Sequence, residues 1–503
     1  MSTANPAVAV GDSFITSPAW NVIKTWSGEL SGLVKPTRGF DNPLARVWSN
    51  LISRHGGPSR PSSPTQRMES IRMTKLPENV RSSGSSPQTE DSEPRTVPTR
   101  HPAASEPIRE GDLPRGFSFG SAAAKIKPSG RRDIALIACE ADTVAAGVYT
   151  TNHVVAAPVL WCRDRTPMRG VRGVITVSGN ANACTGERGR ADAEEMASRA
   201  ADAIGCSKDA MLVMSTGVIG RFLPMDHVRN GIAMAASNVE STAQSFEQAA
   251  DGICTTDQFR KVAAATVALS GGSVRVAGMC KGAGMIHPRM ATFLAVLMTD
   301  ANLDADVCRA MLERVVASSF NRMSVDGHTS TNDTCLMLAS GASSVSLRNA
   351  EDEAALEAAL VKMTQQMARQ VVADGEGARH FLSVVVEGAT DDTAAEKIAE
   401  TVAASPLVKT AVTGGDPNWG RIVSAVGYAG VPVDERKIRL WVQGHALFDG
   451  QPVNYEEREV SEAMKSHSEV RVRLVVGDGP GKADFFASDL TVDYVNFNSL
   501  YTT

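Results

Sequence analysis

No run of about eighteen or more apolar residues occurs in this 503-residue chain, and its N-terminus lacks the basic-then-apolar layout of a secretory signal. A cytoplasmic protein with no membrane partner is expected. An excess of one charge sign is missing too. Lys and Arg number 51 against 56 Asp and Glu, a formal net charge of -5, which leaves no broad basic surface to gather nucleic acid or anionic lipid. The eight cysteines, at 139, 162, 184, 206, 254, 280, 308 and 335, stand singly, without C-x-x-C pairs or histidines at metal-ligand spacing. They read as reduced thiols, and no bound metal is expected. Only Cys184, in SGNANACTG, has a polar, glycine-rich setting in which a chemical role is an alternative. Internal repeats and nucleotide-binding fingerprints are absent as well. There is no P-loop, and no G-x-G-x-x-G lies between a strand and a helix with an acid about twenty residues on.

What is there suffices for two or more packed layers, with 43% hydrophobic residues to fill a core. The composition changes near residue 110. From Gly56 to Pro107 the chain is mostly Ser, Pro, Arg, Thr and Glu, too poor in large apolar residues to offset the entropy of ordering, so disorder is expected there. Residues 1 to 55 carry Trp20, Trp26 and Trp48. A mitochondrial presequence is one reading of them, against which Asp12, Glu29 and Asp41 count, since such segments are acid-poor. A dispensable extension, or a start placed upstream of Met68 or Met73, is the other. Residues 1–110 are therefore set apart as a largely disordered extension without an assigned role.

From Gly111 onward, short β-branched runs such as DIALIA at 133 and VITVS at 174 alternate with Ala-rich segments, the pattern of an α/β protein. Leu356, Leu360, Met363, Met367 and Val371 recur at helical spacing and predict one buried face of a helix that Gly375 ends. Val307, Met311, Val315 and Phe320 predict another. VRVRLVV at 470 and KIRLWVQ at 437 alternate like half-buried strands, so mixed or antiparallel sheets are expected.

The chemistry concentrates in MCKGAGMIHPRMATFLAVLMTDA, 279 to 301, where a glycine-rich loop runs through His287 and Pro288 into an apolar run headed by Thr292. A threonine there suits an N-terminal nucleophile: its hydroxyl attacks the carbonyl of Ala291, an N-to-O shift gives an ester, and water cuts it. The freed α-amino group, with a pKa of roughly 7.7 to 8.0, can then take the proton from its own hydroxyl. The alternative is a strand-initiating threonine with a buried methyl. STGVIG at 215 offers Thr216 a hydroxyl and Gly217 a backbone N–H for a developing oxyanion, or is simple strand-to-turn punctuation. In SVDGHTSTNDT the polar run of Ser324, Asp326 and residues 329–334 is either a surface loop or an inward network that orients a site. GGDPNWGR at 414 reads as structural, with Asn418 the open exception.

Together these segments resemble the ornithine acetyltransferase family, the glutamate N-acetyltransferases of arginine biosynthesis, from about Gly116 to Thr503. The resemblance rests on SGNANACTG at 178, STGVIG at 215, TTD at 255, KGAGMIHPRMATF at 281, SVDGHTSTNDT at 324, DGEGA at 374, DPNWGR at 416 and DLTVDYVNFNSLYTT at 489. It implies an α/β (α+β) fold of the N-terminal-nucleophile type, with layered mixed sheets flanked by helices and a smaller C-terminal α/β domain. It implies a cut between Ala291 and Thr292 that leaves an α chain, 111–291, and a β chain, 292–503, assembled as a dimer of such pairs.

Thr292 is then the nucleophile, Thr216 and Gly217 form the oxyanion hole, and Thr255, Lys281, Thr292, Glu376, Asn498 and Thr503 contact substrate, with Thr256 an alternative to Thr255. The charges agree: the carboxylate of N-acetylornithine wants a cation such as Lys281, and its ammonium a carboxylate such as Glu376. The acetyl group passes to glutamate without a bound cofactor, and acetyl-CoA is left open as a second donor. An N-terminal-nucleophile amidohydrolase or aminopeptidase is the rival enzyme, and a non-catalytic scaffold the rival from another class. FFASDLT at 485 and Arg289 depart from the family's usual residues, the first in packing, the second close to the scissile bond.

Overall fold

The computed structural model describes residues 105–287 and 293–500. The expectations for residues 1–104, and those for Arg289, Ala291, Thr292 and Thr503, lie outside the described residues. Residues 105–110, placed by composition in the extension, are tied to the body. The Ser105 hydroxyl accepts the Val262 N–H at 2.8 Å, and the Ile108 N–H donates to Glu247 at 3.3 Å.

Two mixed sheets organise the chain. The first contains β1 (Phe117–Ala122), β2 (Ile134–Tyr149), β3 (Met168–Asn180), β4 (Met211–Val218), β5 (Lys261–Leu269), β6 (Gly272–Lys281) and β7 (Leu294–Thr299). The second starts from the short β8 (Met323–Ser324), and the first is completed by β9 (Thr334–Ala339). The remaining strands, β10 (Phe381–Ala389), β11 (Arg439–Val442), β12 (His445–Asp449), β13 (Glu469–Val475) and β14 (Gly481–Ser488), belong to the second sheet. The first sheet runs in the order β4-β3-β2-β9-β7-β6-β5 with β1 beside β2, the second β12-β11-β13-β10-β14-β8. In the first, β3–β4 and β7–β9 are parallel and the other pairs antiparallel. β6 and β7, which flank the bond between residues 291 and 292, are antiparallel neighbours, with Lys281 opposite Leu294.

Strand β7 shows why this sheet needs layers on both sides. All six of its residues are buried. Successive side chains point to opposite faces, so Ala295 and Leu297 join one apolar cluster while Leu294, Val296 and Met298 join another. The helices Ala305–Ala317 and Ala350–Ala373 cover the first face, and Leu356, Leu360, Met363, Met367 and Val371 form the buried stripe that their spacing predicts. The helix ends at Ala373, one residue before its cap at Asp374 and two before Gly375. Phe320 departs from expectation: its helix stops at Ala317, and Phe320 lies in a short 3-10 turn, yet it is buried in the same cluster against Phe293. Helix Ala243–Ile253 covers part of the opposite face. Around the second sheet a separate core gathers the helices between Asp392 and Ser466. This is the layered, mixed-sheet α/β architecture with a smaller C-terminal part. Among the described residues no helix is long and apolar enough to cross a membrane.

Leu360 is fully buried at the centre of the first core. Leu360→Ala is expected to lower the unfolding free energy by about 2–5 kcal/mol, read as a lower denaturant midpoint at unchanged slope.

Candidate active site

Segments distant in sequence end at one cavity of about 230 Å³. Strand β4 delivers Thr216 and Gly217, whose partners on β3 are Ser178 and Gly179. Gly217 has φ +131°, and a Cβ on it would lie 2.3 Å from the Gly179 carbonyl carbon, so neither its conformation nor its neighbour admits a side chain. The turn after helix Ala243–Ile253 brings Thr255 and Thr256, the end of β6 brings Lys281, the turn after Ala373 brings Glu376, and helix Val492–Leu500 brings Asn498. All of these line the cavity, and with them Gly284, Met285, Asp326, His328 and Tyr494.

Beneath the cavity lies a fully buried ion cluster. Lys261 donates to Asp257 at 2.6 Å and to Asp374 at 2.5 Å, all three side chains at 0% exposure. Asp257 also accepts the N–H groups of Thr255, at 2.8 Å, and Gly282, at 2.7 Å, while Asp374 accepts that of Gln258 at 3.0 Å. Burial alone would raise both acids, but the Lys261 and Lys281 ammoniums hold Asp257 well below the usual carboxylate range. Asp374 is pushed up to about 6 by burial, with the neighbouring Asp257 charge adding to the rise and Lys261 opposing it. Lys281 is itself buried, which lowers its ammonium's pKa against the pull of Asp257 and Asp333.

Glu376 hangs from this frame by its own N–H, which donates to Ala283 O at 2.8 Å. Its carboxylate accepts the Asn498 amide at 3.1 Å and the Thr256 hydroxyl, so of the two threonines Thr256 grips the acid while both line the cavity. Gly284 leaves room for it, since a Cβ there would fall 2.3 Å from the carboxylate. Burial raises the Glu376 pKa, and the Thr256 and Asn498 bonds oppose that only in part.

The polar run after β8 turns inward. Residues 330–334 are all buried. The Asn332 amide donates to Ala181 O at 2.6 Å and to Ser215 O at 2.9 Å, bracing the strand that carries Thr216. Its neighbour Asp333 accepts the Phe293 N–H at 2.7 Å, and Thr334 N donates to Phe293 O at 2.9 Å. One tripeptide therefore grips both the strand that carries Thr216 and the first described residue after 292.

Asp326, one of the polar run read as a surface loop or an inward network, lines the cavity, and so do Tyr494 and His328, which the sequence does not single out. Tyr494 stands one helical turn before Asn498 on the same face, a spacing that could have pointed to it. Asn418 is a helix N-cap, bonding Arg421 N at 3.1 Å, and Cys184 is exposed and does not line the cavity. Among the described residues no cluster of His, Cys, Asp or Glu is arranged to hold a metal. One buried cation, Lys281, two half-buried carboxylates, Glu376 and Asp326, and neutral hydroxyl and amide groups in the same lining suit a small zwitterion.

Known proteins are similar to this chain over most of its length. The family model described as "ArgJ family" matches residues 118–503. "Arginine biosynthesis bifunctional protein ArgJ" of Rhodopirellula baltica is 50% identical over 402 residues, 79% of this chain and 98% of that protein. The protein of that name from Parasynechococcus marenigrum is 42% identical over 393 residues, 78% of this chain and 94% of its own. A crystal structure of the argJ protein from Bacillus halodurans is 35% identical, covers 40% of this chain and 96% of that one, and superposes with a TM-score of 0.39.

Removing Lys261 leaves two buried acids facing each other. Lys261→Met is expected to cost about 3–5 kcal/mol of unfolding free energy, measured by denaturant titration of the full chain.

Proposed function

The chain belongs to the ArgJ family, and on that premise we propose that it is a self-cleaving acetyltransferase of arginine biosynthesis, carrying an acetyl group on Thr292 from N-acetylornithine to glutamate. The observation that carries this reading is the meeting of Thr216, Gly217, Lys281 and Glu376 in one cavity. The residue the reading needs beside them is bonded to Phe293, whose N–H Asp333 holds.

In this reading Thr292 Oγ first attacks the Ala291 carbonyl carbon. Its proton passes to the departing nitrogen, which becomes the new α-amino group, and water hydrolyses the resulting ester to the Ala291 carboxylate and the free Thr292 hydroxyl. With that amine as base, Thr292 Oγ attacks the acetyl carbonyl of N-acetylornithine, and the oxyanion receives the Thr216 hydroxyl and the Gly217 N–H. Ornithine's amine leaves with the proton, and the amine of glutamate attacks the acetyl ester in turn. Lys281 takes the substrate's α-carboxylate and Glu376 the side-chain ammonium of ornithine. An acetyl group passing between amines of similar reactivity needs no bound cofactor. Acetyl-CoA as a second donor, a dimer of αβ pairs and a cytoplasmic location complete the proposal. Residues 111–291 and 292–503 are its two chains, and Thr503 a further substrate contact.

Thr292→Ala is expected to leave one full-length band on a denaturing gel and no transfer, whereas the native chain yields a fragment whose N-terminal sequence starts at Thr292. A native chain that stays whole on prolonged incubation counts against the whole scheme. Acetate release from N-acetylornithine that runs as fast without glutamate as with it would make the enzyme a hydrolase instead.

Glu376→Ala is expected to leave the cut intact and to raise KM for N-acetylornithine about tenfold or more, as the loss of a charge-assisted bond does. Steady-state rates on the cut enzyme check this.

A further inference from the structure

The proposed reaction asks one cavity to hold two side chains of opposite charge in succession, and Glu376 is where they meet. Ornithine's side-chain nitrogen and glutamate's side-chain oxygens stand the same number of bonds from the α-carbon. With the α-carboxylate on Lys281 and the α-nitrogen at the acetyl group, both side-chain ends reach the same region. Among the described lining residues Lys281 is the one lysine and there is no arginine, so both substrates are offered the same anchor for the α-carboxylate. We infer that Glu376 is the specificity switch of this site, binding ornithine's ammonium as a carboxylate and glutamate's carboxylate as a neutral acid that donates a hydrogen bond.

Among the described residues the surroundings leave this task to no other acid in the cavity. Asp326, the other carboxylate lining it, already accepts the N–H groups of Met285 at 2.6 Å, Ile286 at 2.9 Å and His328 at 3.2 Å, and the Tyr494 hydroxyl at 3.3 Å. Its oxygens hold the loop. Glu376 has the neutral partners that suit a group required in both forms. The Asn498 amide and Thr256 hydroxyl bond it without fixing its charge, and a Thr hydroxyl can accept as well as donate.

The described groups around it favour different forms, with a net shift toward the acid. Lys281 on one side favours the carboxylate, and Asp326 and burial favour the acid, while Tyr494 and His328 complete the lining. A fully committed ion pair, such as Asp257 with Lys261, could not serve, because protonating it would strip a buried ammonium of its partner. Taking glutamate therefore requires one proton to be bound with it, and releasing N-acetylglutamate gives that proton back.

The inference rests on the acetyl-transfer reading, and the test separates the two. With cut enzyme, KM for N-acetylornithine and for glutamate are measured from about pH 6 to 9, with glutamine as reference acceptor or inhibitor. Glutamine shares the α-amine but has a neutral side chain, so its ratio to glutamate isolates the side-chain effect. The native enzyme is expected to show opposite trends. KM for glutamate relative to glutamine should rise with pH, approaching tenfold per unit once Glu376 ionises, while KM for N-acetylornithine falls. Glu376→Gln should flatten both trends, raise KM for N-acetylornithine at least tenfold, and bring KM for glutamate at alkaline pH below the native value. Parallel trends in the native enzyme, or a Gln variant that raises both KM values equally, would overturn the inference. If the Gln variant does not fold, the native trends alone decide. Failure of any acetyl transfer from N-acetylornithine would instead sink the reading beneath it.

Discussion

The site depends on one buried ammonium shared by two carboxylates. Lys261 heads β5, yet its side chain lies beneath the cavity, where Asp257 and Asp374 close on it. Each acid then spends its remaining oxygen capacity on backbone N–H groups of the loops above: Thr255 and Gly282 for one, Gln258 for the other. The loops that carry Thr255, Lys281 and Glu376 are thus pinned to one point. Burying three charges is costly unless every one is paired and bonded; here the pairing also sets loop geometry, which an apolar replacement of equal volume would not do.

A second clamp joins strands where the ion cluster joins loops. Asn332 reaches across to Ser215, and Asp333 and Thr334 hold Phe293, so the parallel register of β7 with β9 and the position of β4 are set by consecutive residues. Burial pushes the Asp333 pKa well up, and the Phe293 N–H, the Lys281 ammonium and the Thr150 hydroxyl oppose that only in part. A neutral acid is the form such surroundings favour.

Much of this architecture is legible in the amino-acid sequence, and the boundary of what is legible is physical. The stripe Leu356 to Val371 and the alternation in VRVRLVV show themselves because periodicity is local. The cavity residues Thr216, Gly217, Thr255, Lys281, Glu376 and Asn498 follow from a resemblance of ordered motifs, and they do meet. Lys261 is invisible in the sequence. In KVAAATVAL it looks like a solvated charge at a strand's start, and while one partner is four residues away the other is 113 away. The inward turn of residues 330–334 is undecidable for the same reason, because a run of hydroxyls and amides reads alike whether water or Ser215 receives its hydrogen bonds. Phe320 shows a smaller version: its periodicity points rightly to burial and wrongly to a helix, since a 3-10 turn can deliver an aromatic to the same core.

The adjacency of β6 and β7 changes what a cut between residues 291 and 292 means for thermodynamics. In the uncut chain the two strands are joined by a short connection, so their pairing is an intramolecular event that carries only a small closure entropy. After the cut, the partners of one antiparallel ladder belong to different molecules, as do β2 and β9. Folding and association become a single equilibrium with the units of a concentration, so dilution alone begins to count as a denaturant. A chain that severs itself here folds as one molecule and must thereafter persist as two.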